Sequence, residues 1–143
     1  MMQFGPEIRG NSPSRAGKPA PTVLVVDDEP LICWSIVEVL GERGYHVNHA
    51  ADAASALQAI ASADVLPDLV LLDMRLPDSN DLIALSVIHR FFPNLPIVLM
   101  TAHGTPELFD EARRRGAAAV VDKPFEISDL APMVERVLAV RSF

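Results

Sequence analysis

Cysteine, basic residues and long apolar runs are all scarce in this chain, and each shortage narrows what it can be. Cys33 is the only cysteine in 143 residues, so no internal disulfide can form. That suits a reducing compartment and leaves Cys33 as a small apolar residue within a helix. No apolar run approaches the roughly 20 residues that cross a bilayer. The N-terminus has no apolar signal-peptide core, so a cytoplasmic protein with no membrane association is expected. Basic residues number 12 against 19 acidic ones, for a net charge of −7. Residues 1–20 carry Arg9, Arg15 and Lys18 against Glu7, a net +2, which leaves −9 on the remainder. An acidic body disfavours direct nucleic-acid binding and favours cations or a partner with a basic face. His46, His49, His89 and His103 show no metal-ligand spacing, and the chain has no internal repeat.

What is present is apolar residue in quantity, 50% of the chain, enough for one domain with a sizeable core. Residues 1–20, rich in Gly, Pro, Ser and charge, read as a flexible leader, with the folded domain over 21–143. Thr22–Val26 is an uninterrupted β-branched run that suits a central parallel strand buried on both faces. Pro30 then opens a helix carrying Ile32, Ile36, Val39 and Leu40 at helical spacing, with Gly44 as its stop. The alternation repeats. A strand is expected over His46–Ala50 and a helix over Ala53–Ser62 behind an Asp52 cap. A strand over Asp68–Asp73 and a helix from about Asn80 to Phe91 follow. Pro96–Thr101 is the fourth strand, and Thr105-Pro106-Glu107 starts a helix that Arg113-Arg114-Arg115-Gly116 ends. Ala117–Val121 is the fifth strand, with a last helix from Ser128 or Asp129, where Pro132 is tolerable only near the first turn. Five β-α units imply an α/β fold, a doubly wound five-stranded parallel sheet in flavodoxin-like order 2-1-3-4-5. Its ligand crevice lies at the strand C-termini, between strands 1 and 3.

Acidic residues fall at those ends. Asp27 and Asp28 close the first strand and Asp73 closes the third, so three carboxylates converge and call for a cation. A few oxygen ligands on a hard-ion site point to Mg²⁺. Thr101 at the end of strand 4 and Lys123 after strand 5 add a hydroxyl and a fixed positive charge. Together these are what phosphoryl transfer to a carboxylate requires.

Four segments, VLVVDDEP (23–30), PDLVLLDMRLPD (67–78), PIVLMTAHG (96–104) and GAAAVVDKPF (116–125), carry a resemblance to a known family. In their order and spacing the chain resembles the receiver domains of bacterial two-component response regulators, over roughly residues 21–141. The resemblance implies that Asp73 is the phosphoacceptor, that Asp28 binds Mg²⁺ directly and that Asp27 acts mainly through water. It implies that the backbone carbonyl of Arg75 is a further metal ligand, Thr101 the switch hydroxyl and Lys123 the phosphate-neutralising lysine, with a cis bond to Pro124. It also implies a sensor histidine kinase or histidine phosphotransfer protein as donor, and a downstream effector domain or target protein as recipient of the signal. Such a domain is no enzyme toward other substrates and promotes only its own phosphorylation and dephosphorylation. Arg75 and His103, each two residues beyond a site residue, would tune acyl-phosphate lifetime.

The chain departs from that family at Val120, where an aromatic residue usually couples to the switch threonine. Asp81 stands where glycine is common, and Asp110 and Arg113 make the fourth helix polar. That polarity argues against taking the usual homodimer as given. Arg113–Arg115 reads as a complement to a helix dipole rather than a nucleic-acid patch. Of the alternatives, a pseudo-receiver that binds partners without phosphorylation would be expected to lose site residues, and all five are here. An aspartyl-phosphate phosphatase would need Asp-x-Asp after the first strand, where Asp27-Asp28-Glu29 stands. A flavodoxin would need a Ser/Thr/Gly-rich phosphate loop at the same place.

Overall fold

The computed structural model describes residues 20–79, 82–123 and 126–141. The expected leader over 1–20 (apart from Ala20), the substitution at Asp81 and the bond to Pro124 lie outside them. The order of elements is β1 (Thr22–Val26), α1 (Pro30–Glu42), β2 (His46–Ala50), α2 (Ala53–Ser62), β3 (Leu69–Asp73), α3 (Ile83–Phe91), β4 (Ile97–Thr101), α4 (Pro106–Arg114), β5 (Ala119–Asp122) and α5 (Ile127–Arg141). All strand pairs are parallel and the sheet runs β2-β1-β3-β4-β5, the order expected from the alternation.

Why the central strands lack any polar alternation is visible in their two faces. Leu24, Val26, Val70, Leu72, Ile97 and Leu99 point to one side and pack with Ala56 and Ile60 of α2, Leu85 and Ile88 of α3 and Ala112 of α4. Their neighbours Val23, Val25, Leu69, Leu71, Val98 and Met100 point to the other, against Cys33, Ile36 and Leu40 of α1 and Leu130, Ala131 and Val134 of α5. Side chains alternate with period 2 along a strand, so a strand covered on both sides must be apolar at every position. β3 and β4 are buried throughout. Each fully buried Leu or Ile there contributes about 1.5–3 kcal/mol of transfer free energy.

Local signals set the helix ends. Pro30 occupies the first turn of α1, and Gly44, at φ +93°, follows its last turn. The side chains of Asp52 and Thr105 cap α2 and α4, accepting from Ser55 N at 2.7 Å and Leu108 N at 3.1 Å.

Expected boundaries shift by one to three residues: β3, α3 and β4 begin at Leu69, Ile83 and Ile97, and the shifts at β5 and α5 have a visible cause. β5 begins at Ala119 rather than Ala117, because Gly116 (φ +110°) ends α4 and the Ala117 N–H turns back to the Ala112 carbonyl at 2.9 Å. α5 starts at Ile127, which puts Pro132 in the second turn instead of the first. A proline there has no N–H to donate to the preceding turn, a loss the packing of Leu130, Ala131 and Val134 against the sheet offsets.

Candidate functional site

The reversal of strand order beside β1 creates the crevice. The chain goes from β1 to β2 on one side and returns to β3 on the other, so α1 and α3 leave the sheet on opposite faces and part above the β1–β3 boundary. Register sets the rest. Val26 pairs with Leu72, which brings Asp27 beside Asp73; Asp73 pairs with Met100, which sets Thr101 one residue further up β4. Thr101 in turn pairs with Asp122, and the Lys123 N–H donates to the Thr101 carbonyl at 2.6 Å, carrying Lys123 over the same edge.

At the centre of the crevice Lys123 Nζ meets three carboxylates: Asp27 Oδ2 at 2.8 Å, Glu29 Oε1 at 3.2 Å and Asp73 Oδ2 at 3.3 Å. The Asp27 side chain is fully buried, and its other oxygen accepts from Glu29 N at 2.9 Å, turning the backbone into α1. Asp73 is buried as well, with the Arg75 N–H a long 3.4 Å from its Oδ1. The Thr101 hydroxyl oxygen accepts from His103 N at 3.1 Å, which leaves its own proton free to donate. Asp73, Thr101 and Lys123 line a cleft of about 300 Å³ together with Asp28, Glu29, Ala102 and the Met74–Pro77 segment.

Charge in this cleft is unbalanced. Burial, then the neighbouring Asp27 charge, raise the pKa of Asp73 above the usual carboxylate range, and Lys123 offsets this only in part. Burial would depress the Lys123 ammonium. The hydrogen bond to Asp27 and the charges of Asp27 and Asp73 outweigh it and push its pKa well above the usual value. Three carboxylates sharing one ammonium fit a hard divalent cation, which brings the missing positive charge and prefers oxygen donors.

Asp27, Asp73, Thr101 and Lys123 are thus brought together as the sequence predicts. Asp28 is exposed on the rim of the cleft. Among the described residues, the trio whose carboxylate oxygens lie within 4.8 Å of one another is Asp27, Glu29 and Asp73. Sequence reasoning missed Glu29, although three consecutive acidic residues at a strand end were the available signal. Arg75 is exposed and lines the cleft, while His103 is exposed two residues beyond Thr101 and is not part of the cleft lining. Arg114 and Arg115 both pair with Glu111 within α4, a local helix pairing rather than a free basic patch. Cys33 is buried, its thiol donating to the Asp27 carbonyl at 3.2 Å. Val120 packs on the α3 side of the core.

A doubly wound parallel domain with an acidic pocket and a lysine at the switch point defines a class of molecule, and comparison with known proteins gives the family. The profile of the response regulator receiver domain matches residues 23–135, and the chain belongs to that family. It is 37% identical over 118 residues to the nitrogen assimilation regulatory protein NtrX of Azorhizobium caulinodans, covering 81% of this chain but only 26% of NtrX. It is 32% identical over 120 residues to sporulation initiation phosphotransferase F of Bacillus subtilis, covering 84% of this chain and 95% of that protein. A CheY-like receiver domain structure from Methanospirillum hungatei superposes with a TM-score of 0.79 at 28% identity, over 86% of this chain and 97% of that one. The chain therefore spans about a quarter of NtrX and nearly all of the Bacillus protein. Among the described residues no helix is long and apolar enough to cross a membrane.

Proposed function

We propose that this receiver domain is a Mg²⁺-dependent phosphorylation switch. In this reading Asp73 takes a phosphoryl group from the phosphohistidine of a sensor histidine kinase or histidine phosphotransfer protein. The changed cleft then alters a surface read by a downstream effector domain or target protein, in the cytoplasm. The observation that carries the proposal is the convergence of Asp73, Thr101 and Lys123 on one small cleft.

An Asp73 carboxylate oxygen attacks phosphorus as the histidine N–P bond breaks, and the bonding pair leaves with the imidazole, which takes up a proton. Lys123, already 3.3 Å from Asp73, neutralises charge on the phosphoryl oxygens. The Thr101 hydroxyl donates to one of them, drawing the Ala102–His103 backbone with it through the His103 N–H bond. Asp73, Asp28 and the Arg75 carbonyl would hold Mg²⁺, with Asp27 acting through water and Glu29 within reach of the same ion. The ion supplies positive charge against the incoming phosphoryl group. Asp27 keeps Lys123 in position by accepting its shortest hydrogen bond.

Intact mass spectrometry after incubation with acetyl phosphate and Mg²⁺ tests the proposal. Gain of one phosphoryl group, abolished in Asp73→Asn and by EDTA, is the expected result. Absence of any gain, together with no beryllofluoride binding in the presence of Mg²⁺, overturns it in favour of a receiver that works without phosphorylation.

A further inference from the structure

One wall of the cleft, Met74–Pro77, belongs to the loop that leaves β3. Two backbone ties shape it. The Met74 N–H donates to the Met100 carbonyl at 2.9 Å, and Leu76 and Ser79 exchange a pair of backbone hydrogen bonds at 2.9 and 3.3 Å. Asp78 stands in the tight turn between Leu76 and Ser79, and its carboxylate does not bind its own loop alone. One oxygen accepts from Ala53 N at 2.8 Å and the other from Ala54 N at 3.0 Å. These are the first two N–H groups of α2. The third, Ser55 N, goes to the Asp52 side chain at 2.7 Å, and Ala56 N goes to the Asp52 carbonyl at 3.1 Å. The open N–H groups of Ala53, Ala54 and Ser55 are therefore satisfied by two aspartates distant in sequence, and Ala56 N makes the first bond of the helix itself.

Asp52 supplies α2 with an N-cap of its own, apart from Asp78. The loop depends on α2. An anion at a helix N-terminus gains from both the N–H groups and the helix dipole, and a two-oxygen grip defines orientation as well as distance. We propose that Asp78 is a positioning residue for the phosphorylation cleft. It clasps the first turn of α2, and so holds the Met74–Pro77 wall, the Arg75 backbone included, in place for Mg²⁺. The inference rests on the proposed Mg²⁺ chemistry of that cleft.

The test compares wild type, Asp78→Ala, Asp78→Asn and Asp52→Ala in two measurements. One is Mg²⁺ titration followed by amide NMR shifts; the other is the rate of acetyl-phosphate labelling as a function of Mg²⁺. Asp78→Ala is expected to raise the Mg²⁺ half-saturation point roughly tenfold in both, as loss of outer-shell support does. The labelling rate at saturating Mg²⁺ stays close to wild type. Asp78→Asn, which keeps one acceptor oxygen, recovers part of the shift. Asp52→Ala removes the other cap from the same helix, and is expected to lower the melting temperature while leaving half-saturation unmoved. That contrast separates a held cleft wall from general weakening of α2. Half-saturation in Asp78→Ala equal to wild type overturns the inference, as does an equal shift in Asp52→Ala. A wild type that neither binds Mg²⁺ nor takes up phosphate overturns the reading of the whole site instead, and this inference with it.

Discussion

Asp73 carries its charge at a cost. Its side chain is 8% exposed, it lies beside the fully buried Asp27, and the two share one lysine. Its pKa in the folded protein is raised, by burial first and Asp27 second. A carboxylate with a raised folded pKa favours folding only while protonated, so that contribution is lost as pH climbs through the raised value. Metal-free Asp73→Asn is therefore expected to melt at a higher temperature than wild type at neutral pH. The gain should shrink to nothing below the ordinary carboxylate range. Thermal melts across pH 3–8 in EDTA check this, and equal melting temperatures at neutral pH would contradict it. Lys123 is the counterpart. Removing it as Lys123→Met strands Asp27 without a counter-charge, a loss of about 3 kcal/mol for a buried pair. Urea unfolding measures that loss, and the double variant Asp27→Asn/Lys123→Met should recover much of it.

At the scale of elements, single residues decide where helices stop and start, and so where loops enter the cleft. Thr105 caps α4 directly after the Thr101–Gly104 stretch that responds to phosphorylation in the proposed mechanism. Thr105→Ala is expected to cost about 1 kcal/mol, read from urea unfolding. Gly116 ends the same helix at φ +110°, with the His89 ring of α3 packed where a Cβ would go. Gly116→Ala meets both backbone strain and that ring, and should cost more than the cap does. The proline inside α5 shows the opposite balance, a local rule overridden because the helix buries three residues against the sheet.

For the whole molecule, stability comes from two apolar layers on one sheet, and chemistry comes from the edge where those layers part. Leu99, fully buried on the α3 side, and Leu71, fully buried on the α1 side, serve separate layers. Leu99→Ala and Leu71→Ala should each cost about 2–5 kcal/mol. Both lie one turn of the pleat or more below the cleft, so folded protein of either variant should still take a phosphoryl group. Labelling measured at low temperature, where both are folded, tests that separation.

Most of the architecture was legible along the chain because a parallel sheet covered on both faces demands unbroken apolar strands. TVLVV, LVLLD and IVLMT meet that demand without ambiguity. Strand order followed from handedness and the number of strands, and the order placed Asp27, Asp73, Thr101 and Lys123 at one edge before any distance was known. The sequence also determined the caps at Asp52 and Thr105, since these act within one helical turn. Tertiary structure alone decided the rest, because those contacts join residues far apart in the chain. Lys123 reaches Glu29 as well as Asp27 and Asp73, drawing a third acid into the cleft beside Asp28. Asp78 grips a helix that begins 25 residues before it. Neither contact leaves a periodic or local trace, since each is set by how loops from different crossovers meet above the sheet.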